Sequence, residues 1–397
     1  MSKAKIIMLT FVSVCVAVAA IVGAHHLVTG GDDDKTITVG IVYVGDESTA
    51  YTLNFVKAQN AIREEYGDRV KLLAKYNIPE GSEAQAIKEL IDEKCDIIFG
   101  TSYGYGETMK ALAKEHPDIQ FCQATCANTE PGIDNYHTFM GAIYQGRYIS
   151  GVVAGMKLAE LIADGKITAD EAKVGYVGAY PFAEVISGYT AFFLGVRSVV
   201  PEAVMTVKYT NTWDDYMLEK KCAKELIDEG CVILSQHSDT TGPAVACEET
   251  DKDREVYIVS YNQSMADVAP TTYLTGCRID WVPYMVEAVK AVADGREIET
   301  CVKGNVNGRD IGAGFDEGWV TMLELNEVVA ADGTEGRIDE LIQGFKLGDV
   351  HVFKGDYTGV NPDDPADTCD LNTEYIENEY SSAPTFDYIL KDVIVVE

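Results

Sequence analysis

Residues 88–98 read KELIDEKCDII, and residues 224–234, 136 positions on, read KELIDEGCVIL. Each pairs an amphipathic helix with a short apolar strand. A second match lies upstream at almost the same offset: Val39-Gly40-Ile41-Val42-Tyr43-Val44-Gly45 against Val174-Gly175-Tyr176-Val177-Gly178-Ala179-Tyr180. Two matched segments in one order are an internal repeat. Each copy opens with a Gly-bounded apolar run, the pattern of a strand buried on both faces.

Worked outward, the first copy gives strands at 37–44, 70–76, 96–100 and 119–123, and helices at 53–66, 83–93 and 105–115. The second gives strands at 173–177, 204–209, 232–236 and 256–260, and helices at 183–199 and 216–229. Alternating β and α elements imply parallel sheets with right-handed crossovers. The fold class is therefore α/β, with two Rossmann-like lobes. Between the copies, residues 144–161 form a long helix in which Gly151 and Gly155 permit close packing. Residues 283–293 form another helix. The acidic tail from 350 carries Asn361-Pro362-Asp363-Asp364-Pro365 and ends in a strand-like run at 393–396.

Composition narrows the function. The 397 residues carry 32 basic and 64 acidic side chains, a net charge of -32, which repels phosphate backbones and anionic head groups. Nucleic-acid binding is thereby excluded. With 47% hydrophobic residues the chain is no disordered acidic tail. Lys3 and Lys5 precede an apolar run over 6–22, the pattern of a secretory signal. Residues 1–24 are read as a cleaved signal or an uncleaved anchor, with lipidation at Cys15 as a third route. Residues 25–36 are a flexible tether. All three routes place the domain outside the cytoplasm, at the plasma membrane or secreted. Of ten cysteines, Cys95 and Cys231 read as small buried hydrophobes. Cys122 and Cys126 are close enough to meet, but no disulfide is assigned.

In an open α/β sheet, ligands sit beyond the carboxyl ends of the strands. That rule selects six loops: Asp46 through Tyr51 with Asn54, then Ser102 and Tyr103, Tyr180 and Glu184, Trp213, His237 to Asp239, and Asn262. Aromatic faces with a few hydrogen-bonding groups suit a flat polar ligand. Many of the Ser, Thr, Asn and Asp residues are equally explained as helix N-caps, Asp46 and Ser102 among them. Tyr103 is also explained as lobe-surface packing, and His237 as a structural histidine. There is no GxxxxGK[ST], HExxH or zinc spacing. The Asp363–Asp370 stretch lacks EF-hand spacing and reads as a solvated loop. No metal, cofactor or catalytic group is assigned.

The runs Val39 to Asp46, Gly100-Thr101-Ser102-Tyr103-Gly104, Tyr144-Gln145-Gly146-Arg147-Tyr148-Ile149-Ser150-Gly151-Val152-Val153-Ala154-Gly155, and 174–184 resemble the basic membrane protein (BMP) family. These are extracytoplasmic substrate-binding proteins of ABC transporters. The resemblance covers about 37–319. It implies a type I periplasmic-binding-protein-like fold, two lobes joined by a hinge of three crossover strands and closing on ligand. The implied lobes are 37–143 with 272–317, and 144–271 with 318–349. Residues 350–397 are left as an extension packed on them. The implied ligand is a purine nucleoside or nucleobase, and the implied partners are an ABC permease and its ATPase, the protein being a monomer. By position, Asp46 contacts the base, and Thr49 occupies the place of a stacking aromatic with Tyr51 two residues on. Trp213 is the opposing aromatic, Asn262 stands at the ribose-binding acid, and Arg278 falls at its basic partner. Two rival readings share the sequence: a ligand-sensing receptor for a membrane signalling partner, and an exported hydrolase with Asp46 or Glu184 as general base.

Overall fold

The structure, a computed structural model, describes residues 36–126 and 132–397. The expected signal or anchor, Cys15 and all of the tether but Thr36 lie outside the described residues. The first run comprises β1 (Ile37–Val42), α1 (Ala50–Tyr66), β2 (Val70–Lys75), α2 (Glu83–Asp92), β3 (Ile97–Gly100), α3 (Gly106–Glu115), β4 (Gln120–Ala124) and β5 (Tyr136–Gly141). Helix α4 (Tyr144–Ala163) leads to β6 (Lys173–Gly178), α5 (Ala183–Arg197), β7 (Val204–Tyr209), α6 (Tyr216–Asp228), β8 (Ile233–His237), α7 (Gly242–Glu248), β9 (Tyr257–Tyr261) and β10 (Tyr273–Ile279). The chain continues through α8 (Val282–Ala293), β11 (Asn305–Asn307), β12 (Asp310–Ala313), β13 (Val320–Met322) and α9 (Thr334–Leu347). It ends with β14 (Thr358–Val360), β15 (Thr368–Asp370), β16 (Ile389–Leu390) and β17 (Ile394–Val396).

Two seven-stranded sheets result, ordered β11-β12-β5-β4-β3-β1-β2 and β13-β10-β9-β8-β6-β7-β17. Both are parallel apart from one antiparallel pair at one end of each, β11 with β12 and β10 with β13. The repeat has a packing cause. A methyl group placed on Gly40 would lie 2.9 Å from Leu90 Cδ1 and 3.0 Å from Cys95 Sγ. One placed on Gly175 would lie 3.0 Å from Leu226 Cβ and 3.3 Å from Cys231 Cβ. In each lobe the KELID leucine and the following cysteine seat on a bare glycine of the first strand. The strand after them then pairs with that first strand, Val39 opposite Ile97 and Val174 opposite Ile233.

The chain passes between the sheets three times, from β5 to β6, from β10 to β11 and from β12 to β13. The second passage differs from the expected boundary at 272. Strand β10 belongs to the second sheet, paired with β9 and β13, so the return to the first lobe begins after Ile279. Its pattern, YLTGCRI, is a buried strand that a boundary drawn by position cut off. Helix α4 is clamped to α5: a methyl on Gly151 would sit 1.8 Å from the Phe192 carbonyl oxygen. The tail does more than cover. Strand β17 adds to the second sheet in register with β7, Ile394 opposite Met205, and β14 to β16 form a small sheet of their own.

Candidate functional site

A cavity of about 730 Å³, counting its open mouth, lies between the carboxyl ends of the two sheets. From the first lobe it takes Val44, Gly45, Thr49, Tyr51 and Thr52 after β1, Glu80 after β2, Ser102 and Tyr103 after β3, and Thr125 after β4. The second lobe adds Glu184 after β6, Trp213 and Asp214 after β7, His237 and Asp239 at the end of β8, and Tyr261 and Asn262 at the end of β9. Topology thus gathers loops far apart in sequence, as the strand-end rule requires.

Of the residues singled out from sequence, Thr49, Tyr51, Ser102, Tyr103, Glu184, Trp213, Asp239 and Asn262 line this cavity. Four do not. Asp46 turns aside: its carboxylate accepts from Ser48 N at 2.9 Å, Ser48 Oγ at 2.6 Å and Asn77 Nδ2 at 3.0 Å. The Ser48 and Asn77 bonds hold it at about 2, so it is a weak base. Asn54 is buried and donates to the Asn262 carbonyl at 3.1 Å, a bond from one lobe to the other. Tyr180 stacks on Phe182, centroids 5.1 Å apart, and meets the Trp213 ring edge-on at 5.3 Å. Arg278 is paired with Asp280 at 3.2 Å.

The second-lobe wall is acidic. Asp239 is half-buried, and desolvation together with Glu219 behind it raises its pKa to about 8. Asn262 Nδ2 donates to its Oδ1 at 3.3 Å. Asn262 holds φ of 65°, a left-handed conformation that asparagine tolerates better than most residues. Burial also raises Glu219 to about 7, against bonds from Ser238 Oγ at 2.8 Å and the Thr240 amide at 3.2 Å. Asp214 is raised by burial and by Asp215. Burial lowers His237 to about 4, with Arg147 reinforcing it, so the imidazole is neutral at pH 7. Its Nε2 lies 3.5 Å from Glu184 Oε1. No lysine or arginine lines the cavity among the described residues.

Arg147 explains why the α4 motif matters. The side chain is buried beneath the cavity, its guanidinium 3.6 Å from the Tyr261 ring centroid, and it donates to the Gln236 carbonyl at 2.9 Å. It therefore braces the ends of β8 and β9, which present His237, Asp239, Tyr261 and Asn262. Glu80 plays a similar part on the first lobe, accepting from Ser102 Oγ at 2.7 Å and Gly104 N at 2.8 Å. Glu80, Thr52 and Thr125 carried no motif. Tyr261 and Asp214 adjoin the selected Asn262 and Trp213 but were not singled out. His237, read as structural, lines the cavity.

Residues 46–344 match the Bmp family, described as ABC transporter substrate-binding protein PnrA-like. A purine-binding protein of Brucella abortus is 30% identical, over 85% of this chain and 89% of its own. A Haloferax volcanii protein, provisionally named an ABC transporter glucose-binding protein, is 29% identical over 67% of this chain and 63% of its own. Among solved structures, an ABC transporter solute-binding protein from Aeropyrum pernix superposes with a TM-score of 0.64 at 15% identity, covering 83% of this chain and 94% of that one.

Proposed function

Because the chain belongs to the Bmp family of ABC transporter substrate-binding proteins, and so is an extracytoplasmic solute receptor, we propose that it captures a purine nucleoside or nucleobase in its interlobe cavity. The observation that carries this reading is the make-up of that cavity. One lobe contributes Tyr51, the other Trp213 and Tyr261, and hydrogen-bond acceptors rather than cations fill the space between. An aromatic face suits a heterocycle. Carboxylates and a carboxamide accept from ring N–H, exocyclic amino and ribose hydroxyl groups. A phosphate would find no lysine or arginine among the described lining residues to pair with, so the free nucleoside is favoured over the nucleotide. The name of the Brucella relative points the same way. Capture by closing lobes feeds a membrane permease with its ATPase, and no residue here acts on the ligand chemically. We place the protein outside the cytoplasm, held at the plasma membrane by its N-terminal segment or released by signal cleavage.

A hexose is the second reading, favoured by the same acidic acceptors and by the name of the Haloferax relative. Thermal unfolding against nucleosides, nucleobases and sugars separates the two. A ligand present at ~100 times its dissociation constant adds about 2.7 kcal/mol of stability. A rise with purines alone supports the proposal, and a rise with sugars alone overturns it.

A further inference from the structure

Outside the stretch that matches the family, residues 377–386 of the tail form a strap with a grip on each lobe. The grip on the first lobe is Asp310 of β12, which is 1% exposed. It accepts from Ser382 Oγ at 2.6 Å and Ser382 N at 2.5 Å, and it is anchored within its own lobe by Thr138 Oγ1 at 2.7 Å. Asn307 adds a bond to the Tyr380 carbonyl. The grip on the second lobe is Glu377, 5% exposed, which accepts from Ser187 Oγ of α5 at 2.6 Å. The same carboxylate takes Thr385 Oγ1 at 3.0 Å and the Phe386 amide at 3.1 Å. The strap between the grips is stiff. Asn378 Nδ2 donates to the carbonyls of Ser381 and Ser382, and Phe386 is fully buried on Phe353, centroids 4.7 Å apart.

Each gripping atom is a buried carboxylate, which is costly to leave without its donors. Asp310 lies three residues before the end of β12, where the chain crosses to the second lobe, so the strap spans the hinge. Rotation of one lobe away from the other pulls Ser382 from Asp310 or Ser187 from Glu377. Ser187 also lies one turn beyond Glu184 on α5, so the second grip fixes the helix that sends Glu184 into the cavity.

We propose that residues 377–386 are a clasp, with Glu377 and Asp310 as positioning residues, that holds the two lobes near their closed arrangement and sets how far the cleft opens between capture events. The solute-receptor assignment supplies the setting, but the clasp does not depend on which ligand is bound. The closed arrangement is also marked here by the Asn54–Asn262 bond. A clasp that raises the closed fraction of the free protein raises apparent affinity in proportion.

The test is the distance across the cleft mouth in the ligand-free full chain. Spin labels go on genetically encoded, non-cysteine handles at Glu47 and Met217, both exposed and flanking the cavity loops from opposite sides. The expected result is a short, narrow distance distribution in the parent and a longer, broader one in Ser187→Ala and Ser382→Ala. Glu377→Gln serves as a stronger perturbation. Should it fail to fold, Ser187→Ala and Ser382→Ala decide, since Ser187→Ala leaves the Glu377 bonds to Thr385 and Phe386 in place. Unchanged distances in folded Ser187→Ala and Ser382→Ala overturn the clasp. Guanosine is then titrated into the same proteins, with an expected loss of affinity of about three- to tenfold. Wider cleft distances with no guanosine binding in any protein keep the clasp and reject the purine reading instead.

Discussion

Asp239→Asn should stabilise the empty protein while removing its function. Burial and Glu219 raise the Asp239 carboxyl from 3.8 to about 8. At pH 7 the unfolded chain has lost that proton and the native state still holds it. The native state therefore binds more protons than the unfolded state, and stability falls as pH rises from the unfolded value through about 8. At pH 7 the cost is about 4 kcal/mol as a ceiling, reduced by whatever Glu219 and Asp239 share. Asparagine keeps the shape and one acceptor for Asn262 but cannot ionise. The variant should gain about 2 kcal/mol or more at pH 7.5 and lose most of the fall between pH 5 and 8. A residual step belongs to Glu219, raised to about 7. The assay is thermal unfolding of parent and variant across that range, with purine binding measured in parallel. A parent profile that is flat from pH 5 to 8, with a variant melting no higher, would refute the claim that this carboxyl is held against its own ionisation.

Trp213→Ala should weaken purine binding by about 1–3 kcal/mol, the usual cost of removing an aromatic partner from a base, as read by calorimetry; unchanged affinity removes Trp213 from the site. Asp46→Asn should alter affinity far less than Asp239→Asn, because the Asp46 carboxylate is spent on Ser48 and Asn77; equal losses would show that it turns to the ligand. Gly151→Ala forces a methyl to 1.8 Å from the Phe192 oxygen, parting α4 from α5. Its unfolding free energy from urea titration should fall by about 1–3 kcal/mol or more, the cost typical of overpacking, and an unshifted midpoint would contradict the close approach.

The lobes were legible because their signals are local. Gly40 with Leu90 and Cys95, and Gly175 with Leu226 and Cys231, write one packing solution twice in nearly the same letters. The cavity was legible as far as the strand-end rule reaches, which is why Ser102, Trp213, Asp239 and Asn262 line it. What was missed depends on distant partners. Strand β5 reads YHTFMG, and its buried His137 is satisfied by Gln120 at 2.8 Å and by Glu299, 162 residues on. Periodicity cannot see such a strand. Position alone sent Arg278 toward the ligand, whereas Asp280 two residues on holds it. Asp46 was likewise expected at the base until Asn77, from the far side of β2, claimed one of its oxygens. The strap's grips on Ser187 and Asp310 join residues 190 and 72 positions apart, beyond any local pattern.

The most direct test of the account is a calorimetric titration of guanosine, adenosine and glucose into the protein and into Trp213→Ala. The account predicts saturable one-site binding of a purine nucleoside that the substitution weakens, and no heat from glucose. Saturable binding of glucose alone, indifferent to Trp213, would contradict it.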